Sequence, residues 1–409
     1  MENLTLDRED VQQASSFHVD YAELSYTSRP KKVTIGTLLS TSLSIVSALL
    51  TGRFWKMKVF GISFLLLFLC TSPFFNFIYF DSSSWLVIEQ QSKELLSPIV
   101  AAPESHDAKK VFRLTVPAIA KLFSIDRHGL ISLQIGLGLL MLWMLIDLLY
   151  KRTGSREVAF LTALLSASCY FLFSAFYDVF GRVDAFGYIF LLSAVYFRNP
   201  LIVCFCVLAA SFCDERAFIN SYFVFLYWAF ERTEGLRLKL RSWHLNPRCY
   251  AVLFAWVGYF LCRYLLGTYY GFKTPTQGIG TSILLESRHY IPIALFSTYG
   301  MAWWLILSCF VILLYRRQFL PLLLLAGGLS VSAAASLLVQ DINRSLAYSF
   351  LLLIISVIVL ARAVDRRQLI SGLIVLVALS LIVPIYIYDS HIHYLPNIVI
   401  RLLEVVKRA

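Results

Sequence analysis

Long apolar stretches recur along almost the whole chain and are separated by short polar segments. Many of them approach the ~20 residues that an α-helix needs to cross a bilayer. A soluble protein of 409 residues could not cover its surface with 15% charged residues and 58% hydrophobic ones. The sequence therefore predicts an all-α, polytopic integral membrane protein.

About eleven transmembrane helices are predicted from these stretches. They cover residues 58–80, 129–150, 157–177, 184–197, 199–213, 217–230, 249–266, 290–315, 318–339, 345–363 and 369–388. Residues 33–51 are rich in Ser and Thr, and we expect an interfacial helix there. The three spans between 184 and 230 are short, so either they are tilted or the first two form a re-entrant hairpin. Both alternatives return Asp214 to the external face.

The basic residues orient this topology. They concentrate in alternate loops, as in Lys151–Arg152, Arg316–Arg317 and Arg366–Arg367, and loops of this kind are typically cytoplasmic. The N-terminus is therefore expected inside and the C-terminal tail outside. The same clustering accounts for the net charge of +11, so we expect no nucleic-acid partner. Residues 1–30 lack the apolar core of a cleavable signal peptide.

Loop 81–128 is the longest of the predicted external loops. Within it, residues 85–100 and 108–124 mix apolar and charged positions at helical spacing, and each stretch predicts an amphipathic juxtamembrane helix. A second external loop, 267–289, is rich in Gly and Thr. The expected organisation is a cytoplasmic segment with the interfacial helix at 1–57, a catalytic transmembrane module at 58–235, a second transmembrane module at 236–388 and an external tail at 389–409.

Four short polar motifs lie at span ends, and the topology places all four on the external face. They are Asp81, DVFGRVD at 178–184, DER at 214–216 and DINR at 341–344. An ionisable residue near a span is costly to place and is a functional candidate by default. The alternative for each is a solvated side chain at the level of the headgroups. Compact pairs of acid and arginine on one face favour a site.

Asp81, Asp184 and Asp178 are the catalytic candidates. Arg182 precedes Asp184 by two residues, and this cation can keep the carboxylate ionised as a general base for a hydroxyl acceptor. Two carboxylates from different loops could instead share a divalent metal, Mg²⁺ or Mn²⁺. They could also divide between base catalysis and acceptor binding, and the spacing leaves these alternatives open.

Arginines on the external face are suited to hold a lipid-linked phosphate. Arg344 is the leading candidate because DINR lies between two strongly apolar spans. The other expected phosphate ligands are Arg182, Arg216 and Arg288. Acceptor-binding or supporting roles are expected for Asp214, Glu215, Asp341, Asp107 and His106. His391 and His393 make only a weak metal-binding pattern.

These features resemble the GT-C superfamily of membrane glycosyltransferases, which use polyprenyl-phosphate sugars. The likeness covers about residues 55–235. It rests on Asp81 at the start of a long first external loop, on the two amphipathic helices of that loop, and on the acid in GRVDAFGYIFLL. This last segment is similar to the "R-x-x-D-apolar" start of the fourth span in protein mannosyltransferase-like and aminoarabinose transferase-like members. DER and DINR are not motifs of that family, and no C-terminal soluble domain is predicted.

The resemblance implies an enzyme that transfers a sugar from a polyprenyl-(pyro)phosphate-linked donor to a glycan, lipid or protein acceptor. It implies Asp81 as the catalytic base and the second acid as a support for metal or acceptor binding. The expected location is the bacterial inner membrane, among membrane lipids, with the active site facing outward for cell-envelope polysaccharide biosynthesis. The alternatives are a lipid-linked polysaccharide polymerase and a transporter or flippase of glycolipid. A transporter would carry polar residues within its spans and internal repeats, which this sequence does not display.

Overall fold

The computed structural model of the chain describes residues 35–71, 83–98, 110–177, 180–231, 246–273, 284–285, 287–339, 341–383, 385–389 and 391–395. The chain divides into two compact units, residues 1–41 and 42–409. Of the first unit only the beginning of helix α1 is described. The elements that concern function all belong to the second unit.

Helices make up nearly all of the described chain, which confirms the helical class of the fold. They are α1 Ile35–Leu49, α2 Trp55–Thr71, α3 Ser83–Lys93, α4 Thr115–Phe123, α5 Arg127–Thr153, α6 Arg156–Ser166, α7 Tyr170–Tyr177, α8 Asp184–Tyr196, α9 Pro200–Ser211, α10 Glu215–Asn220, α11 Tyr222–Glu231, α12 Pro247–Tyr270, α13 Ile291–Tyr299, α14 Trp303–Tyr315, α15 Phe319–Leu337, α16 Ile342–Ala347, α17 Leu351–Ala363 and α18 Arg366–Ile382. Single 3₁₀ turns, Gly300–Ala302 and Tyr348–Phe350, join α13 to α14 and α16 to α17.

Two short strands follow the last helix and depart from the all-α prediction. They are β1 Ile385–Asp389 and β2 His391–Leu395, which pair antiparallel with Tyr386 opposite Tyr394. The sequences IYIYD and HIHYL are rich in β-branched and aromatic residues, a composition typical of strands. The predicted span at 369–388 therefore extends too far, because α18 ends at Ile382.

Five helical segments are long and apolar enough to cross a membrane. They are Arg127–Thr153, Pro247–Tyr270, Ile291–Tyr315, Phe319–Leu337 and Ile342–Ala363, and the bent pair α6–α7 makes a sixth if it counts as one span. Among the described residues, length and composition thus support an integral membrane protein with five to six spans. The predicted number of about eleven is not confirmed.

The predicted span 157–177 is broken. Helices α6 and α7 meet at an angle of 57°, and residues 167–169 between them are small. Ser168 Oγ and Cys169 Sγ both donate to the Leu165 carbonyl, and such bonds from side chain to backbone compete with the regular helical ladder. The predicted span 217–230 is likewise split at Ser221, whose hydroxyl donates to the Phe218 carbonyl.

Helices α8 and α9 are shorter than a bilayer is thick. They contain 13 and 12 residues, or about 20 and 18 Å at 1.5 Å per residue, against a hydrocarbon core of about 30 Å. The two helices pack against each other and α9 packs against α12. Both of the predicted alternatives, tilted short spans and a re-entrant hairpin, remain compatible with these lengths.

Helix α17 is the central helix of the second unit. In the segment Ile342–Ala363 that contains it, 89% of the most apolar 18-residue stretch is buried inside the protein. The corresponding share for α15 is 28%. Helix α17 packs against α5, α11 and α14. The segment Ile342–Ala363 carries Arg344 near one end and Arg362 near the other.

Both predicted juxtamembrane stretches contain a helix, although each helix is shorter than expected. Helix α3 ends at Lys93, and α4 begins at Thr115, seven residues later than the predicted start at 108. Pro117 lies in the first turn of α4, where a missing N–H and a fixed φ are tolerated. Helices α3 and α4 pack together, and α4 exposes Leu122 and Phe123 at its end, as a helix lying on a membrane would.

Candidate functional site

Three of the polar motifs meet at one end of the helix bundle. Asp184 is the first residue of α8, Asp214 caps the N-terminus of α10, and Asp341 directly precedes α16. Each motif follows an apolar stretch and opens the next helix. The N-termini of α8, α10 and α16 therefore bring residues that are more than 100 positions apart into contact.

Asp184 is paired with two arginines from different helices. Arg344 Nε lies 2.7 Å from Asp184 Oδ2, and Arg216 Nη2 lies 3.5 Å from Asp184 Oδ1. Arg216 also grips both oxygens of Asp214, with its Nε and Nη2 atoms each at 2.5 Å. Arg344 Nη1 donates to Asp341 Oδ2 at 2.7 Å. Acid and guanidinium groups thus alternate through the site.

Arg113 extends this alternation toward the juxtamembrane helices. Its Nη2 lies 2.9 Å from Asp214 Oδ2 and 3.6 Å from Glu215 Oε2. Glu215 Oε1 lies 3.9 Å from Arg263 Nη1 on α12. We call this set of four arginines and four acids the Asp184 network: Arg113, Asp184, Asp214, Glu215, Arg216, Arg263, Asp341 and Arg344.

Hydroxyl groups fix the geometry around Asp184. Tyr348 donates its phenolic hydroxyl to Asp184 Oδ1 at 2.8 Å, and Tyr188 donates to the Arg344 carbonyl at 3.1 Å. Arg216 Nη1 donates to Ser345 Oγ at 2.8 Å. Tyr348 follows Arg344 by four positions, and residues at this spacing share a helix face. That spacing was the available sequence signal for Tyr348, which lies outside the four polar motifs.

The centre of the network is buried, and the charges of the whole network balance. Asp184 and Asp214 are 1% exposed and Arg344 is 3% exposed. A buried charge without a partner is strongly destabilising, so each of these groups depends on its neighbours. Burial alone would raise the pKa of Asp214, but the charges of Arg113 and Arg216 hold that pKa well below its ordinary value.

The turn that precedes Asp184 is conformationally unusual. Val183 has φ +56°, a left-handed conformation that β-branched residues rarely adopt. Gly181 has φ +80°, and a Cβ atom there would lie 3.1 Å from Ser84 Cβ and from the Trp85 backbone nitrogen. The turn is therefore pressed against α3, and Val183 packs in the same apolar cluster as Trp85 and Val116.

The structure brings together some of the predicted site residues and separates others. Asp184, Asp214, Glu215, Arg216, Asp341 and Arg344 all belong to the network. Arg182 lies over the ring of Phe180 at 5.7 Å, and Arg288 is exposed with its Nε 3.2 Å from His289 Nε2. Four other predicted residues, Asp81, Asp178, His106 and Asp107, lie outside the described residues.

Guanidinium groups already contact three carboxylates of the network. Asp184, Asp214 and Asp341 each have one at ion-pair distance, and a metal ion beside these cations would meet electrostatic repulsion. The alternative of a divalent metal shared by two carboxylates stays a prediction, because Asp178 lies outside the described residues.

Comparison with known proteins yields no matching family model, no matching curated protein and no matching solved structure.

Proposed function

We propose that the chain is a membrane glycosyltransferase that moves a sugar from a polyprenyl-(pyro)phosphate-linked donor to a glycan, lipid or protein acceptor. One observation carries the proposal. Three separate motifs place Asp184, Arg216 and Arg344 together at one end of the bundle, beside the amphipathic helices α3 and α4. A site for a lipid-linked phosphate requires cations of this kind at the boundary of the membrane.

The proposed reaction is a direct displacement at the anomeric carbon of the donor sugar. The acceptor hydroxyl oxygen forms a bond to that carbon while the bond from the carbon to the phosphate oxygen breaks. The hydroxyl proton passes to a carboxylate, and the phosphate leaves with its lipid. The configuration at the anomeric carbon is inverted. Guanidinium groups stabilise the negative charge that develops on the leaving phosphate.

Among the carboxylate candidates, the closed pairing of Asp184 favours Asp81 as the base. Asp184 is 1% exposed and contacts Arg344, Arg216 and Tyr348. Both of its carboxylate oxygens therefore face protein groups, which leaves no open approach for an acceptor hydroxyl. Its proposed role is to orient Arg216 and Arg344 toward the donor phosphate. Asp81 takes the acceptor proton in this scheme.

The proposed topology keeps the eleven spans, a cytoplasmic N-terminus and an outward-facing site in the bacterial inner membrane. Spacing along the segment Ile342–Ala363 supports a membrane between its charged ends. Arg344 and Arg362 are 18 residues apart, about 27 Å along a helix. This length is close to the hydrocarbon thickness of a bilayer.

The experiment compares Asp81→Asn and Asp184→Asn with Asp126→Asn as a matched control. Asp126 caps α5 and its side chain is 75% exposed, and Asn caps a helix about as well as Asp does. Purified variants in liposomes receive a panel of polyprenyl-phosphate sugars labelled in the sugar, together with a lipid and glycan extract as acceptor. We expect Asp81→Asn to lower transfer by at least about 100-fold and Asp126→Asn to leave it unchanged.

Two results would overturn the proposal. One is full transfer activity in both Asp81→Asn and Asp184→Asn when both variants fold normally. The other is movement of labelled glycolipid across the liposome membrane without any covalent product, which would identify a transporter. If the products form a ladder that grows by whole repeat units, the proposed site stays the same and the reaction is polymerisation.

A further inference from the structure

A second charged cluster lies at the C-terminal end of α17. It is independent of the proposed transferase site. Its centre is Glu231, the last residue of α11. Arg152 Nη2 lies 2.8 Å from Glu231 Oε1, Arg248 Nη1 lies 2.8 Å from Oε2, and Arg198 Nη2 lies 3.7 Å from Oε1. A single carboxylate is thus surrounded by three guanidinium groups.

Arg362 adds a fourth cation to this cluster. It lies near the end of α17 and lines the same cavity as Arg152 and Glu231. Among the residues that the structure describes, no carboxylate lies at ion-pair distance from Arg362. We call these residues the Glu231 cluster: Arg152, Arg198, Glu231, Arg248 and Arg362. Its four cations face one anion, so the cluster carries a positive excess.

The cavity combines these cations with apolar side chains. It is lined by Arg152, Tyr227, Glu231 and Arg362 and by Phe230, Ile355, Ile358 and Val359. Its volume is about 30 Å³, enough for one or two atoms the size of a water oxygen. A ligand would therefore place phosphate oxygens in the cavity and the rest of its headgroup at the open mouth.

We propose that this cavity and its open mouth bind an anionic phospholipid through its phosphodiester headgroup. Charge complementarity selects an anion, because Arg152 and Arg362 line the same cavity and their like charges repel when nothing lies between them. Position selects a lipid, because Arg362 is exposed in the last turn of α17, at one end of a segment that is long and apolar enough to cross a membrane. A basic residue near a membrane surface attracts anionic lipid with a free energy of about 1 kcal/mol.

Helix ends alone do not account for this arrangement. Arg152 and Glu231 lie in the last turns of α5 and α11, and Arg362 in the last turn of α17, where the partial negative charge of a helix C-terminus favours cations. Arg316 illustrates that use, since its Nη2 donates to the Ala363 carbonyl. A favourable helix end explains the presence of an arginine, but it does not explain why two arginines line one cavity that contains a single carboxylate.

The test uses the full-length protein in a neutral detergent, titrated with dioleoyl-phosphatidylglycerol or dioleoyl-phosphatidylcholine. Native mass spectrometry measures the bound lipid. Arg362→Gln is compared with Arg367→Gln, which removes the same charge from an exposed position five residues further on. We expect phosphatidylglycerol to bind in preference to phosphatidylcholine, and Arg362→Gln to weaken its binding about fivefold. Arg367→Gln should change that affinity by less than about twofold.

Three outcomes would overturn this inference. Equal affinities for the two lipids would exclude recognition of charge. An equal loss in Arg362→Gln and Arg367→Gln would indicate diffuse surface charge instead of this cavity. Displacement of phosphatidylglycerol by inorganic phosphate at similar concentrations would assign the site to free phosphate. Arg362→Lys is the control for misfolding of the Gln variant. It keeps the positive charge and should keep most of the affinity for phosphatidylglycerol.

Discussion

The two ends of the segment Ile342–Ala363, which contains α16 and α17, lie beside charged groups whose balance differs. The Asp184 network pairs four arginines with four acids and is closed to solvent at Asp184, Asp214 and Arg344. In the Glu231 cluster three arginines surround one glutamate, and a fourth, Arg362, is exposed and has no carboxylate at ion-pair distance among the described residues. A balanced, buried set of charges depends on every member for stability. An unbalanced, open set tolerates loss of a cation and leaves charge available for a ligand.

Removal of one cation from each end provides the sharpest test of this contrast. Arg344→Gln leaves the buried Asp184 and the half-buried Asp341 without the Arg344 guanidinium group, and loss of one member of a buried pair destabilises a protein by about 3–5 kcal/mol. Arg362→Gln should change stability by less than about 0.5 kcal/mol. Thermal and chaotrope unfolding in one detergent measures both variants. Similar losses at the two ends would contradict the contrast.

The convergence at the Asp184 network was only partly accessible from sequence. Asp184, DER and DINR were recognised as candidates because each is a polar interruption at the end of an apolar stretch. Their contact with Arg113 was not predicted, since 101 positions separate Arg113 from Asp214 and no local pattern encodes that distance. Pairing at such separation depends on how helices pack.

The helical class was predictable from hydropathy, whereas the breaks in the helices were not. The segment 157–177 is apolar enough for one span, yet small residues at 167–169 allow a bend of 57°. Ser and Cys also occur in straight helices, so the bend at Ser168 and Cys169 depends on tertiary contacts. Cys169 Sγ also approaches the Tyr299 carbonyl, 130 positions away. The strand signal at 385–395 was legible as a run rich in β-branched and aromatic residues, but it follows an apolar helix. Residues 385–388 were therefore included in the predicted span 369–388, and the rest in the predicted tail.

Acid should weaken the balanced end through Asp214. Folding lowers the pKa of this residue, so the unfolded state binds more protons than the folded state below about pH 4, the ordinary range of an Asp. The stability that Asp214 contributes is complete above that pH and is lost as the pH falls further. In Asp214→Asn this acid-dependent part should disappear. Unfolding curves of both proteins between pH 6 and about pH 2.5 measure it, and parallel curves would contradict the assignment.

Close packing of Gly187 against Tyr348 should make the balanced end sensitive to a single methyl group. A Cβ atom at Gly187 would lie 2.8 Å from Tyr348 Cε1 and 3.1 Å from its hydroxyl oxygen. Gly187→Ala should displace the ring and weaken its bond to Asp184, with a loss of about 1–3 kcal/mol. The control is Gly258→Ala on α12, where the nearest atom is Leu208 Cδ1 at 3.9 Å and Ala should stabilise the helix by up to about 1 kcal/mol. Opposite signs in thermal unfolding confirm the difference.

The smallest expected effect concerns the backbone that presents Asp184 to the network. Val183 is 5% exposed with φ +56°, so replacement with Ala or with Gly removes the same buried contacts, apart from one methyl group. Only Gly also relieves the left-handed conformation, which destabilises an L-residue by about 1–2 kcal/mol. Val183→Gly should therefore unfold at a higher temperature than Val183→Ala, the reverse of the order within a regular helix. If Ala is the more stable variant, the turn relaxes to negative φ at no cost, and the Asp184 network alone holds α8 in place.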